Sequence, residues 1–247
     1  MSEILKVETE GPTDWVTLNR PDRLNALNQP LTEALLTYFE GKRRDGACRV
    51  IVITGAGRGF CAGADLKASG QPDRLRDGGE GDWYLRDLMK AMRACPQPIV
   101  ALVNGPAAGG GLAIALASDI IVAAQGASFH AAFIRVGLSA SELAVSWRLQ
   151  RTIGLSKARE MLLCSRPVTA AEALASGLVS AVVEAGALRE NGAALVADML
   201  RAEPDALRVS KRTFDATLEI PSYELALEVE ERGQIQMVRQ LAASRRG

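Results

Sequence analysis

The sequence predicts an α/β protein, because short continuous apolar runs alternate with segments whose apolar residues recur at helical spacing. One such run is residues 50–54, VIVIT, which precede Gly55 and are typical of a strand covered on both faces. Leu31, Leu35 and Phe39 precede that run at the spacing of a helix. With 247 residues, of which 48% are apolar and 23% charged, the chain can enclose a substantial core.

The elements follow in order from these patterns. Residues 4–9 and 15–18 alternate around a turn and predict a β-hairpin. Asn28 is a favourable helix N-cap, and Pro30 fits the first helical turn that follows it. The pattern then repeats, with the predicted order helix 83–94, strand 99–103, helix 110–117 and strand 120–124.

The ends of this pattern suggest how the chain is divided. Residues 69–82 are rich in glycine and charge without periodicity, which predicts a mobile surface loop. After Glu184 no further strand is predicted, and three helices are expected at 188–199, 204–217 and 221–242. We therefore predict a core over 1–185 and a helical region over 186–247. The last helix carries more apolar residues than a solvated terminus needs, so we expect it to pack on another subunit.

Composition excludes several classes of function. Twenty-nine Lys and Arg residues balance 29 Asp and Glu residues, so no global field would draw the chain to nucleic acid or to an anionic membrane. The longest apolar runs fall far short of the roughly 20 residues that span a bilayer, and the N-terminus lacks a signal-peptide pattern. Four scattered cysteines and a single histidine disfavour a disulfide framework and a zinc site. We expect free thiols, no metal and a cytoplasmic location.

Two glycine-rich segments are candidates for ligand binding. In the first, residues 55–66, the positions Gly57, Gly59 and Ala62 match the spacing of a dinucleotide-binding turn. Residues 68–72 would end the required helix within two turns, so a Rossmann site is disfavoured. A P-loop is disfavoured as well, because no Gly-Lys-Ser/Thr follows.

The second segment, residues 109–111, is a glycine triplet at the start of a predicted helix. Its N–H groups lie at the positive end of the helix dipole. For either segment alone, a tight turn with close packing is a sufficient explanation. If both segments follow strands of one parallel sheet, they share an edge, and two N–H groups converging on one oxygen would form an oxyanion hole.

A series of short motifs extends over nearly the whole chain in a characteristic order. They are LNRP at 18–21, LNAL at 24–27, FCAGADLK at 60–67, PIVA at 98–101, NG at 104–105, GGG at 109–111, ASD at 117–119 and ASGLV at 175–179. In this order the chain resembles the crotonase superfamily, also called the enoyl-CoA hydratase/isomerase family. The resemblance implies a spiral of ββα units with a C-terminal helical trimerisation region. It also implies a homotrimer or a dimer of trimers that binds an acyl-CoA thioester and needs no cofactor besides the coenzyme A of its substrate.

The resemblance also assigns site residues by position. The amides of Ala64 and Gly110 match the pair that polarises the thioester carbonyl and stabilises an enolate. Of the predicted contacts to CoA, six lie in one subunit and two, on a tail helix, would reach the CoA of a neighbouring subunit; Arg23 and Lys211 could equally be solvated charges. These positions are Arg23, Leu24, Ala26, Ala62, Asp65 and Leu66, followed by Lys211 and Phe214.

The sequence departs from the pattern of the family's hydratases. Those enzymes place two glutamates around a water, and here the matching positions are Ala113 and Phe133. We therefore expect hydration by the two-glutamate mechanism to be severely impaired. Glu142 lies near the position of an acid/base in dienoyl-CoA isomerases and of the nucleophile in chlorobenzoyl-CoA dehalogenases. The alternative is a capping box over residues 139–142, SASE, in which Glu142 only caps a helix.

Four other side chains have simpler interpretations. His130, the only histidine, is expected to be a packed and hydrogen-bonded residue rather than a catalytic one. Trp83 and Tyr84 could line an acyl pocket, although core packing is the favoured role. Asp65 is expected to make structural hydrogen bonds.

The sequence thus predicts an enzyme of fatty or related acyl-CoA metabolism that performs double-bond isomerisation, another enolate reaction or hydration of an unusual substrate. The alternative is an inactive acyl-CoA-binding or sensing protein.

Overall fold

The computed structural model describes residues 4–66 and 81–244 as an α/β fold. The strands are β1 Leu5–Glu10, β2 Thr13–Leu18, β3 Val50–Gly55, β4 Ile99–Val103, β5 Ala107–Ala108, β6 Ile120–Ala124, β7 Ser128–His130, β8 Val168–Thr169 and β9 Ala181–Val183. The helices are α1 Gln29–Lys42, α2 Gly81–Ala94, α3 Gly110–Ala117, α4 Val145–Ile153, α5 Leu155–Cys164, α6 Ala170–Ala175, α7 Leu188–Leu200, α8 Pro204–Thr217 and α9 Tyr223–Ser244. The predicted hairpin, central strands and three late helices are confirmed.

The larger sheet has six strands in the order β1-β2-β3-β4-β6-β9. Only the β1–β2 hairpin is antiparallel, and β2, β3, β4, β6 and β9 run parallel. A smaller sheet has the order β5-β7-β8. Because β3 and β4 are parallel neighbours, the chain leaves both at the same edge, which is where the two glycine-rich segments begin.

Alternate residues of the central strands pack into two separate layers. Ile51 and Ile53 of β3 face a core that includes Leu35 of α1 and Leu112 of α3. On the opposite face, Val52 joins a second cluster with residues of α7. Full burial of such side chains contributes about 1.5–3 kcal/mol each. This two-sided cover explains why these strands are continuous apolar runs in the sequence.

Of the two helix-capping patterns discussed here, the one at Asn28 is confirmed and the one at residues 139–142 is not. The Asn28 side chain accepts a hydrogen bond from the Leu31 amide at 3.2 Å and so caps α1. The capping box predicted over residues 139–142 is wrong, because α4 begins only at Val145 and its N-cap is Ala144. In that loop the Ser141 amide donates to the Ser139 hydroxyl at 3.1 Å instead.

The remaining predictions concern single segments. Of the mobile loop predicted over residues 69–82, residues 69–80 lie outside the described residues. The side chain of Trp83 lies outside them as well. All four cysteines are free thiols, as predicted. Within the ranges 4–66 and 81–244, no helix has the length and apolar character needed to cross a membrane.

Helices α8 and α9, and the residue that directly follows α8, carry large apolar side chains that are exposed in the single chain. They are Phe214, Leu218, Tyr223, Leu225, Leu227, Ile235, Val238 and Leu241. The subunit contact expected from the sequence stays a prediction, and this surface is where it would form.

Candidate active site

The two glycine-rich segments lie side by side at the edge of the larger sheet. The Ala108 amide donates to the Cys61 carbonyl at 2.9 Å. In return, the Phe60 and Cys61 amides donate to the Pro106 carbonyl at 3.2 and 3.1 Å. These bonds join the segment after β3 to the segment that enters α3.

Glycine permits this close approach at one position in particular. Gly63 has a φ of +85°, a left-handed conformation that L side chains rarely adopt. A Cβ added to Gly63 would lie 2.7 Å from the Ala108 carbonyl oxygen and 3.1 Å from the Gly110 nitrogen. The first segment therefore contacts the start of α3 through bare backbone.

The amides of Ala64 and Gly110 lie among backbone groups that are mostly hydrogen-bonded. The Leu27 amide donates to the Gly63 carbonyl at 2.7 Å, and the Asp65 amide donates to the Leu27 carbonyl at 2.9 Å. Gly110 is the first residue of α3, where N–H groups have no partner inside the helix. Among the described residues, neither the Ala64 nor the Gly110 N–H has a backbone acceptor. Two unpaired donors on adjoining segments can polarise a carbonyl oxygen.

Arg20 and Asn25 hold the loop before α1 against this site. The fully buried Asn25 amide group donates to the carbonyls of Ala56 and Gly59 at 2.9 and 2.8 Å. The Arg20 guanidinium donates to the Asp65 carboxylate at 2.8 Å. The structural hydrogen bonding expected of Asp65 is thus present. Arg20 and Asn25 belong to motifs that the sequence displayed, but nothing in the sequence indicated which groups they bind.

Some of the positions proposed to contact CoA lie close together, and others do not. The Ala62 amide donates to the Leu24 carbonyl at 2.9 Å, so the segment around Leu24 lies beside the segment of Ala62 to Leu66. Arg23 is exposed, Ala26 is buried and Leu66 is 44% exposed. Phe214 lies elsewhere, on α8, where it is 67% exposed.

Lys211 does not behave as a surface charge. Its side chain is only 6% exposed, and its ammonium group contacts the Asp119 carboxylate at 2.8 Å and donates to the Gln97 carbonyl at 2.9 Å. The alternative that Lys211 is a solvated charge is therefore wrong. Contact between Lys211 and a CoA would require this buried pair to open.

Glu142 lies in the loop before α4 and is half-buried. Its carbonyl accepts a hydrogen bond from the Val145 amide at 2.8 Å. Leu143 and Ala144 follow with φ values of +49° and +59°. The Leu143 side chain lies by the start of α3, since a Cβ on Gly110 would be 4.0 Å from Leu143 Cδ1. The loop that carries Glu142 therefore adjoins the segment that carries the Gly110 amide.

The two positions that the resemblance matched to hydratase glutamates carry buried apolar side chains. Ala113 is 1% exposed, one turn into α3, and Phe133 is 5% exposed. A Cβ on Gly109 would lie 3.9 Å from Phe133 Cε1, so this ring packs beside the glycine triplet. Neither side chain can transfer a proton.

The backbone of His130 is bonded to the residue that precedes α3. Its carbonyl accepts a hydrogen bond from the Gly109 amide at 3.0 Å, while its ring Nε2 lies 2.8 Å from the Ser128 hydroxyl. Burial and the Arg135 guanidinium lower the pKa of His130, which favours the neutral ring. The packed, hydrogen-bonded role expected from the sequence is confirmed.

Comparison with known proteins matches the chain to one family over most of its length. The sequence model of the enoyl-CoA hydratase/isomerase family matches residues 10–245. A probable enoyl-CoA hydratase of Mycobacterium bovis is 41% identical over 239 residues, which cover 93% of this chain and 82% of the relative.

Two further relatives are named as isomerases. The 1,2-epoxyphenylacetyl-CoA isomerase of Escherichia coli is 34% identical over 74% of this chain and 71% of its own length. A solved structure of a monofunctional enoyl CoA isomerase from Mycobacterium smegmatis superposes with a TM-score of 0.78 at 36% identity, covering 91% of this chain and 98% of that protein.

Proposed function

The chain belongs to the enoyl-CoA hydratase/isomerase family, and from that membership we propose that it binds an acyl-CoA thioester and stabilises its enolate with the N–H groups of Ala64 and Gly110. The observation that carries the proposal is that these two donors lie on adjoining segments without a backbone acceptor among the described residues. An oxyanion-hole donor contributes about 3–4 kcal/mol to transition-state stabilisation. The thioester oxygen is the acceptor that such a pair fits.

The second part of the proposal assigns the proton transfer to Glu142. The carboxylate takes a proton from a carbon near the thioester, and the electron pair of that C–H bond moves through the conjugated system to the carbonyl oxygen as an enolate. Glu142 then returns the proton to a different carbon, and the carbonyl reforms. The net change is migration of a carbon–carbon double bond, with no oxidant, reductant or water consumed.

Several observations support isomerisation over hydration. Ala113 and Phe133 provide no carboxylate to activate a water. Glu142 directly precedes Leu143, whose Cδ1 would lie 4.0 Å from a Cβ placed on Gly110. Two of the relatives are named as isomerases, of an enoyl-CoA and of 1,2-epoxyphenylacetyl-CoA. The proposed reaction needs no cofactor beyond the CoA of the substrate.

The proposal includes a homotrimer or a dimer of trimers. The exposed apolar face of α8 and α9 supports it, because such a face is stabilised when another subunit covers it. Phe214, on that face, would then lie where a neighbouring subunit's CoA could reach it.

The experiment compares wild type with Glu142→Gln on a panel of enoyl-CoA thioesters that differ in double-bond position. We expect kcat of the variant to fall by about 10²–10⁴-fold with nearly unchanged thioester affinity, since an acid/base group acts on the chemical step. Glu190→Gln, on the exposed side of α7, is the matched control and should retain full activity.

Three results would contradict parts of the proposal. Unchanged turnover in Glu142→Gln removes that residue from the mechanism. Tight thioester binding without turnover of any panel member favours the acyl-CoA-binding or sensing role instead. Absence of thioester binding contradicts the oxyanion hole itself.

A further inference from the structure

A small cavity begins one helical turn from the proposed oxyanion hole and runs along α3. It has a volume of about 60 Å³ and lies between α2, α3, α4 and α8. Ala113, Leu116 and Ala117 of α3 line it, and their spacing places them on one face of that helix. Leu143, whose side chain lies by Gly110, lines the near end. An acyl group held at Gly110 would meet this cavity as it extends away from the thioester.

The far end of the cavity is charged, which is unusual for a pocket that would hold an alkyl chain. Asp119 follows the end of α3, Lys211 pairs with it, and Arg148 lines an adjoining cavity together with it. The charged side chains that line the cavity are Arg93, Asp119, Arg148, Lys211 and Asp215. With a rise of about 1.5 Å per residue, the path along α3 from Gly110 to Ala117 is about 10 Å. The cavity thus offers apolar surface near the thioester and charged groups at a distance set by the length of α3.

Most of these charges already have partners. Lys211 pairs with Asp119 at 2.8 Å. Arg93 contacts Glu219 at 2.9 Å and Asp215 at 3.9 Å, and it also lies over the Trp147 ring at 4.7 Å from the centroid. Lys211 and Arg93 therefore already pair with carboxylates of the protein itself.

Arg148 is the exception. Within the described ranges, its half-buried guanidinium has no carboxylate within 4.0 Å and no side-chain hydrogen bond. It lines this cavity and also an adjoining one of about 190 Å³. Burial raises the pKa of Asp215, and nearby positive charges, that of Arg148 among them, oppose the rise. A half-buried guanidinium with free donors favours an oxygen acceptor, above all a carboxylate.

We propose that Arg148 is a specificity residue, and that the preferred substrate is an acyl-CoA whose acyl chain carries a carboxylate at the end distant from the thioester. This inference rests on the proposed acyl-CoA function and names the substrate class of that site. The near part of the cavity contacts the chain, and the Arg148 guanidinium binds the distal carboxylate. The volume of about 60 Å³ suits such a group, since a single water needs about 10–15 Å³.

The test compares pairs of unreactive saturated thioesters that differ only at the chain end. They are hexanoyl-CoA with adipoyl-CoA, and octanoyl-CoA with suberyl-CoA, measured by calorimetric titration of the full-length protein. We expect wild type to bind the carboxylated member of at least one pair about tenfold more tightly, as a hydrogen-bonded charge pair would give. Two chain lengths are tested because the length of α3 gives the distance from the thioester to Arg148 only to within about one helical turn.

Variants then assign the preference to Arg148. In Arg148→Met we expect the preference to be lost while affinity for the simple acyl-CoA is retained, which also shows that the variant folds. Arg148→Lys should keep part of the preference, since the charge remains without the bidentate geometry. Arg159→Met, an exposed arginine on α5, is the matched control and should behave as wild type.

The outcomes separate this inference from the function on which it rests. Equal affinities within both pairs, or a preference that survives in Arg148→Met, overturn the inference and leave the proposed function intact. Failure of wild type to bind any of the four thioesters contradicts the proposed function, and the inference fails with it.

Discussion

Gly63 lies directly against the amide nitrogen of Gly110, since a Cβ placed on Gly63 would be 3.1 Å from that nitrogen. The same Cβ would lie 2.7 Å from the Ala108 carbonyl oxygen, and the backbone of Gly63 has a φ of +85°. Space and conformation therefore both require glycine here. The distance between the two proposed oxyanion donors is set by this contact between backbones.

Gly63→Ala should consequently damage the site and the fold together. A left-handed φ costs a residue with a Cβ about 1–2 kcal/mol, and the clash with Ala108 adds to this because backbone must move. Displacement of the Gly110 amide should lower kcat by about 10²–10³-fold, the effect of losing one oxyanion-hole donor. Urea unfolding and steady-state kinetics measure the two effects.

Gly126→Ala provides the control for that substitution. A Cβ on Gly126 meets no atom within 4 Å, and its φ is outside the left-handed region. We expect wild-type activity and stability from it. Wild-type turnover in Gly63→Ala would show that the separation of the two segments does not matter for catalysis.

The pair of Arg20 and Asp65 provides a second test. The two side chains are 15% and 6% exposed and meet at 2.8 Å. Removing one partner of a buried pair leaves an uncompensated charge, so Asp65→Ala should lower the free energy of unfolding by on the order of 3 kcal/mol. Because Asp65 adjoins Ala64, we also expect a lower kcat/KM.

A double-mutant cycle separates the pair from the individual side chains. If the contact matters, Arg20→Ala combined with Asp65→Ala should cost less than the sum of the two single variants. Asp22→Ala, an exposed acidic residue of the same loop, is the control and should leave urea unfolding unchanged. Additive effects in the cycle would show that the ion pair contributes nothing.

The central fold could be predicted because its signals are local. Strands β3, β4 and β6 are continuous apolar runs since both faces of the sheet are covered, and each ends within one residue of its predicted limit. The smaller sheet was not predicted, because β5 and β8 have two residues each and so have no periodicity to detect. The wrong capping box at 139–142 shows a related limit: a matching pattern does not guarantee a helix at that position.

Prediction of the site was limited by contacts between residues far apart in the chain. The glycine-rich pattern after two strands located the segments that carry Ala64 and Gly110, whereas the choice of these two residues came from the family resemblance and stays a prediction. The burial of Lys211 could not be predicted, because its partner Asp119 lies just before β6 and only the packing of α8 brings them together. The guanidinium of Arg148, which has no carboxylate within 4.0 Å among residues 4–66 and 81–244, was not predicted for the same reason, since ion pairing with distant residues depends on the tertiary fold.

The backbone before α4 gives a third prediction. Ala144 is the N-cap of α4 and has a left-handed φ of +59°, which disfavours a residue with a Cβ. Ala144→Gly relieves that strain, so its free energy of unfolding should equal or exceed that of wild type. Ala193→Gly, at an exposed position inside α7, should instead cost about 1 kcal/mol. Equal losses in the two variants, measured by urea unfolding, would show that the loop stores no strain.

The last prediction concerns stability in acid. The buried Asp14 carboxylate accepts hydrogen bonds from Thr9 and Tyr38 at 2.8 and 2.7 Å and pairs with Lys42 at 2.6 Å. Burial alone would raise the pKa of Asp14, but the hydrogen bonds from Lys42, Tyr38 and Thr9 outweigh it and lower the pKa. A hydrogen bond from Lys42 likewise lowers the pKa of Asp45 to about 2. The stabilisation from both carboxylates is therefore present above their unfolded pKa of about 4 and is lost as the pH falls through the folded values.

Tyr38→Phe isolates one of these hydrogen bonds, because the ring and its packing remain. At pH 7 it should lower the free energy of unfolding by about 1.5–3 kcal/mol, the range for a hydrogen bond to a charged group. The difference from wild type should shrink as the pH falls from 5 towards 2, since the acceptor loses its charge. Tyr223→Phe, on an exposed tyrosine of α9, should have no effect at any pH. Urea unfolding across this range decides the point, because a difference that stays constant with pH would mean that the Tyr38 hydroxyl does not stabilise the ionised form of Asp14.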